Sequence, residues 1–352
     1  IPLRLVGSEM CIRDSGYTAR TVAISLDKPL FAKTLGGSEV LDAATGETLT
    51  DWVTFFESGK RLAEYLKHHG FNTAVMAVAC EGSTLYPSSL LSPTPQYDTG
   101  PLFSTGQDPV RKDILEMLCR IFDREGLKLV PAIQFSTPLP ALEALRREAG
   151  SEPHLDWIGA DGQTWLSSHV TNRGLAPYYN PLNEQVQSAM LAVAGELAER
   201  YGKHRSFAGI ALQLGPDTYA QLPEDEGSFD DATVERFATE MSLRVPGNST
   251  TDLAARVEFL NGEARRAWLA WRAEVMAEFY QQLSAQVADA SSGAKLFLAT
   301  SDLLVGANAQ QAVRARLAGT AGAGERPRSV SETLLEMGLN PTLLADEPQI
   351  VL

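Results

Sequence analysis

The sequence predicts an α/β protein built on a parallel sheet, and three observations carry that reading. Short apolar or β-branched runs alternate with segments whose apolar residues step by three and four, the strand and helix periods in turn. Residues 207–214 (FAGIALQL) are almost unbroken apolar, as a strand covered on both faces requires. A chain of 352 residues, 44% of them hydrophobic, can bury one large core or two ordinary ones. About five strands are countable, so an incomplete (β/α)8 barrel and a doubly wound sheet both fit the order. No Gly-rich phosphate fingerprint follows the early strands, which counts against the doubly wound form.

The chain opens with a stretch that fits neither period. Residues 5–15 (LVGSEMCIRDS) resemble a translated sequencing adapter, and residues 1–15 are set aside as a non-native leader. The remainder, residues 16–352, is expected to be one partial barrel domain, cut short at the C-terminus and at the N-terminus too. Residues 20–26 read as a first strand. Asp51 is placed to cap a helix whose stripe is Trp52, Phe55, Phe56, Leu62, Tyr65 and Leu66, closed by Gly70. A buried strand follows over 71–79, then a turn with Glu81 and Tyr86 and a long Pro/Gly/Ser-rich loop. Asp108-Pro109 reads as the start of the next helix, Gly126 as its end, and 127–135 as a strand leaving Gln134 near its exit. Residues 138–149 form a short helix.

Asn180 and Pro181 then suit the first positions of a helix, the one by its capping oxygen and the other by its fixed φ. Val186, Met190, Val193, Leu197 and Tyr201 supply its buried stripe, and the 207–214 strand comes next. In the acidic loop 224–231, Asp230 or Asp231 caps the first of two helices on either side of a polar spacer. The second is long and carries Trp268 and Trp271. A strand over 295–300 ends at Ser301-Asp302. A weak helix, a flexible linker over 318–328, a helix over 330–337 and a final strand complete the pattern.

Charge and cysteine usage exclude several functions. The net charge of −14 leaves no basic patch for phosphates, so no nucleic-acid partner is expected, and no run is apolar enough for a membrane span. Cys11, Cys80 and Cys119 have neither disulfide-framework nor zinc spacing, and the five histidines form no ligand motif. No metal and no cofactor are expected.

Four blocks carry a family resemblance: GFNTAVMAVACEGSTLYPS (70–88), DREGLKLVPAIQF (123–135), the segment from YNPLNEQV to FAGIALQL (179–214), and that from WLAWRAEV to KLFLATS (268–301). In this order and spacing the chain resembles the bacterial glycosyl-hydrolase-like family 10 domain. The resemblance implies a TIM barrel, a polysaccharide or cell-wall glycan as ligand, and O-glycosyl hydrolysis as the activity; for compartment it leans towards a secreted or periplasmic protein. It also exposes a departure. The family's strand matching 209–214 usually ends in an aspartate pair, where this chain has Gln213 and Leu214. An amide keeps hydrogen bonding to sugar hydroxyls but cannot transfer a proton, so a barrel that binds without cutting is the alternative.

Glycosidases need two carboxylates across the scissile bond. Asp217, at a strand exit, is the first candidate, against the ordinary role of a turn aspartate. Asp302 is the second, against the role of a helix cap. Around them, Glu81, Gln134, Asn180 and Gln213 are candidate ligands for sugar hydroxyls. Tyr86, Tyr178, Tyr179 and Tyr219 are candidate stacking platforms, although each alone is more often packing. Arg272 is a candidate substrate ligand or a buried ion-pair partner. Oligomeric state is left open.

Overall fold

The computed structural model describes residues 21–26, 52–80, 83–91, 113–148, 155–168, 179–223, 227–247, 252–304 and 329–352. Among them the elements run β1 (Ala23–Leu26), α1 (Trp52–His68), β2 (Thr73–Cys80), β3 (Ser83–Thr84), α2 (Ile114–Glu125), β4 (Lys128–Ile133), α3 (Pro140–Glu148) and α4 (Trp165–Ser168). They continue with α5 (Glu184–Tyr201), β5 (Gly209–Gln213), α6 (Asp231–Glu240), α7 (Leu253–Asn261), α8 (Arg265–Ala290), β6 (Lys295–Ala299), α9 (Val330–Glu336), α10 (Pro341–Ala345) and β7 (Ile350–Val351). The sheet order is β1-β2-β4-β5-β6-β7, with β3 paired back on β2. Strands therefore neighbour one another in chain order and, except for β3, run parallel, with helices in the connections. A doubly wound sheet reverses its order at a switch point; here there is no reversal. The topology is that of an incomplete (β/α)8 barrel.

Strands β2 and β5 are buried as their apolar sequences require. In β2 only Val75 departs from full burial, and in β5 Gly209, Ile210, Ala211 and Leu212 are all covered. Each large aliphatic side chain so removed from water contributes ~1.5–3 kcal/mol. The described residues form two compact units. The first (residues 1–133, 194–211 and 286–295) has a core of Phe55, Leu62, Leu66, Met76, Leu118, Phe122 and Leu129. Cys80 and Cys119 belong to this core as buried thiols outside any disulfide. The second (residues 134–193, 212–285 and 296–352) is more aromatic, with Phe229, Phe237 and Trp268 grouped together and Trp271 stacked on Trp268 at 5.3 Å.

Several boundaries differ from the sequence reading. Helix α2 is capped by Asp113, whose Oδ1 accepts from the Glu116 N–H at 2.9 Å; Asp108, like Asp51, lies outside the described residues. Gly126 closes α2 with φ +69°, a left-handed conformation that glycine adopts without steric cost. Asn180 does not cap α5. That role falls to Asn183, whose Oδ1 accepts from Gln185 N–H at 2.8 Å and Val186 N–H at 3.4 Å. The long helix expected after the spacer is α8, and α7, which ends at Gly262 before it, was not foreseen. Asp230 caps α6 as anticipated, through Thr233 N–H at 2.9 Å. The weak helix and the 318–328 linker lie outside the described residues, and α10 was not foreseen.

Candidate active site

Strand β5 ends at Gln213, and Leu214 N–H donates to Ala299 O of β6 at 2.9 Å, so the two strands stay paired up to the point where both turn. The chain then reverses through Gly215-Pro216-Asp217-Thr218. Thr218 N–H donates to Gly215 O at 3.1 Å, which makes this a β-turn with proline at its second position, where the ring's fixed φ fits. Asp217 is the third residue of that turn and is exposed. Asp302, three residues past β6, is exposed as well. A Cβ built on Gly215 would lie 3.6 Å from Asp302 Cβ. The two aspartates singled out from the sequence thus sit on adjacent turns at the C-terminal ends of adjacent strands.

The turn is held from beneath. Thr218 and Gln221 are both buried. Gln221 Nε2 donates to Gly215 O at 2.5 Å and to Thr218 O at 3.3 Å, and Thr218 Oγ1–H donates to Gln221 Oε1 at 2.7 Å. Thr218 Oγ1 also accepts from Gly215 N–H at 3.1 Å. Gln221 lies in a clamped segment: Tyr280 O–H donates to Ala220 O at 2.7 Å, and Leu222 N–H to Met337 O at 3.0 Å. Neither Thr218 nor Gln221 was picked out from the sequence. The Gly-Pro-Asp-Thr turn pattern was the available signal for the first, but nothing local announces the second.

The expected ring of sugar-binding side chains is only partly assembled. Gln213 and Gln134 are partly exposed at the ends of β5 and β4, and Gln213 Oε1 is enclosed without a hydrogen-bond partner among the described residues. Tyr219 and Tyr179 are buried, so their faces are not available for stacking. Tyr219 N–H donates to Phe135 O and its hydroxyl to Thr137 O at 2.6 Å; Tyr179 O–H donates to Glu143 Oε1 at 2.7 Å and accepts from Leu139 N–H at 3.0 Å. Burial first, and Glu143 next, push the Tyr179 phenol far above its ordinary range, so it stays a donor. The two rings meet edge to face at 5.1 Å. These tyrosines fasten loops.

Asn180 is buried too, with Nδ2 donating to Asp230 Oδ2 at 2.9 Å and Thr233 Oγ1 at 2.8 Å. Burial raises the Asp230 carboxyl above its usual value, against the lowering effect of the Thr233 and Asn180 donors. Arg272 is buried, donating to the carbonyls of Glu336 at 2.6 Å and Gly227 at 3.4 Å, with its guanidinium 5.5 Å from the Trp268 ring centre. Among the described residues its hydrogen-bond acceptors include these two backbone carbonyls. Tyr86 is drawn away by β3, which runs antiparallel to β2 so that Leu85 N–H reaches Val78 O at 2.8 Å. Its ring is buried edge-on to Tyr201 at 5.9 Å. The loop beyond it is held by Glu196, which accepts from Ser88 Oγ at 2.5 Å and Ser89 N–H at 2.7 Å. Glu81 and Tyr178 lie outside the described residues. Among the described residues no group of His, Cys, Asp and Glu could hold a metal ion, and no helix is long and apolar enough to cross a membrane.

Residues 48–299 match the model of a family described as glycosyl hydrolase-like 10. No curated protein matches the chain. Similar solved structures include the PgaB (BpsB) glycoside hydrolase domain from Bordetella bronchiseptica, at 13% identity and TM-score 0.46, covering 78% of this chain and 64% of that one. The catalytic domain of β-amylase from Paenibacillus polymyxa is 14% identical over 78% of this chain and 66% of its own, with TM-score 0.43. A β-galactosidase from the psychrophilic Marinomonas ef1 gives 13% identity and TM-score 0.40, covering 68% and 34%. The chain thus spans 34% to 66% of the length of these three proteins.

Proposed function

Since the chain belongs to the glycosyl hydrolase-like 10 family, matched over residues 48–299, we propose that it is a carbohydrate-active protein that hydrolyses a polysaccharide or cell-wall glycan. The observation that carries the proposal is the pairing of Asp217 and Asp302 on adjacent strand-end turns, both exposed to an incoming chain. Asp217 in its protonated form donates to the leaving glycosidic oxygen as the C–O bond breaks. Asp302, ionised, faces the anomeric carbon or the water that adds to it, and that water's second proton returns the acid to its starting state.

Asp217→Asn and Asp302→Asn in the intact protein are each expected to lower the release of reducing ends by about 10²–10⁴. The assay uses a panel of chitosan, xylan, mixed-linkage β-glucan and purified peptidoglycan. A loss of only a few-fold overturns the assignment.

A second reading is favoured by Gln213, which stands where the family resemblance implies an acid and whose Oε1 meets no donor among the described residues. In that reading the barrel binds glycan without cleaving it. It predicts retention on one of the same polysaccharides with no reducing ends released.

A further inference from the structure

We propose that Gln221 and Thr218 are positioning residues for Asp217, a buried amide–hydroxyl latch that fixes the strand-end turn from below. The inference rests on the assignment of Asp217 as the acid. Three features support it.

The first is saturation. Carbonyl oxygens only accept, so the two carbonyls beside Gln221 Nε2 fix the orientation of the amide, and its Oε1 must face the Thr218 hydroxyl. That hydroxyl's one proton lies between Gln221 Oε1 at 2.7 Å and Gly215 O at 3.0 Å, and its lone pair takes the Gly215 N–H at 3.1 Å. Both ends of the turn, Gly215 and Thr218, are thereby tied to one side chain.

The second is anchoring. Gln221 stands between two backbone groups bonded to Tyr280 and Met337, and the Tyr280 ring is buried in α8. The latch therefore connects the turn to the core.

The third is contrast. Asp217 itself is exposed, and the turn below it is not. An exposed acid keeps one direction only if the backbone beneath it is fixed. A proton donor misplaced by ~1 Å costs about 10²-fold in rate, so the latch bears on turnover more than on binding.

The test uses Thr218→Val and Gln221→Met, near-isosteric changes that delete the hydrogen bonds, with Thr218→Ser as the variant that restores the hydroxyl. Hydrogen exchange is followed in peptides covering residues 214–220, and kcat and KM are measured on whichever polysaccharide of the panel is cleaved. The expected result is exchange at the turn at least about tenfold faster in Thr218→Val and Gln221→Met, kcat lower by about 10–100-fold and KM within about twofold. Thr218→Ser returns both to near the parent values. Unchanged exchange and unchanged kcat in Thr218→Val and Gln221→Met, while Asp217→Asn abolishes turnover, overturn the latch and leave the catalytic assignment standing. Turnover that survives Asp217→Asn, or cleavage of no glycan in the panel, overturns the assignment and this inference with it.

Discussion

His204 sits between two carboxylates, with Nδ1 2.7 Å from Asp123 Oδ2 and Nε2 2.9 Å from Glu116 Oε2. Burial works to raise both acids, but the His204 hydrogen bonds, with Arg120 for Glu116 and Ser206 for Asp123, leave them below their ordinary values. A carboxyl lowered in the folded state contributes stability above its unfolded pKa and loses it as pH falls through the folded one. The stability gap between the parent protein and His204→Gln should therefore be widest near neutrality. It should close as pH drops from about 5 to about 3. Urea melts across that range check this; a gap independent of pH would mean that the imidazole contributes packing alone. Asp113 runs the opposite way. Burial raises it despite the Glu116 amide and the Tyr201 hydroxyl, so its ionised form costs stability and acid relieves it. Comparing parent and variant cancels that contribution.

Among the elements, β5 tolerates least. Gly209 has φ +139°, and a Cβ there would lie 1.8 Å from Lys295 O and 2.7 Å from Lys295 N. The two strand backbones meet where no side chain fits. Gly209→Ala should cost about 3 kcal/mol or more, from backbone strain and overpacking together. Chemical denaturation measures it, and a loss under about 1 kcal/mol would show that β5 and β6 part readily. The same element marks the limit of local reading. The apolar run over 207–214 announced a buried strand, but nothing in it says that Gly209 is a point of backbone contact. The cap expected at Asn180 failed for a related reason. Asn180 and Asn183 stand three residues apart, and local rules favour Asn180 because Pro181 follows; its side chain is instead taken by Asp230 and Thr233, some fifty residues away.

For the molecule as a whole, the alternation of periods was enough to give a parallel sheet in chain order, because each crossover leaves its own apolar stripe. It did not reveal β3, a two-residue strand that folds the Tyr86 segment back along β2. That is why Tyr86, read as an edge tyrosine, is core. Asp217 and Asp302 are exposed on their turns, whereas Tyr86, Tyr179 and Tyr219 are buried. Buried aromatic side chains are placed by what covers them, which a local pattern cannot show.

Cys80 on β2 and Cys119 on α2 are both thiols packed in the core of the first unit. Burial raises the Cys119 thiol far above its usual range, with nearby Glu116 adding to the effect. Reagents attack thiolates, so neither should react until its surroundings open. They amount to a pair of clocks. Alkylation by iodoacetamide, followed peptide by peptide, should run about a thousandfold or more slower at each than in urea. If the first unit opens in one step, the two opening constants inferred after correction for each thiol's intrinsic reactivity will agree. If β2 and α2 come away separately, they will differ, and the order of unfolding can be read from chemistry that the protein already contains.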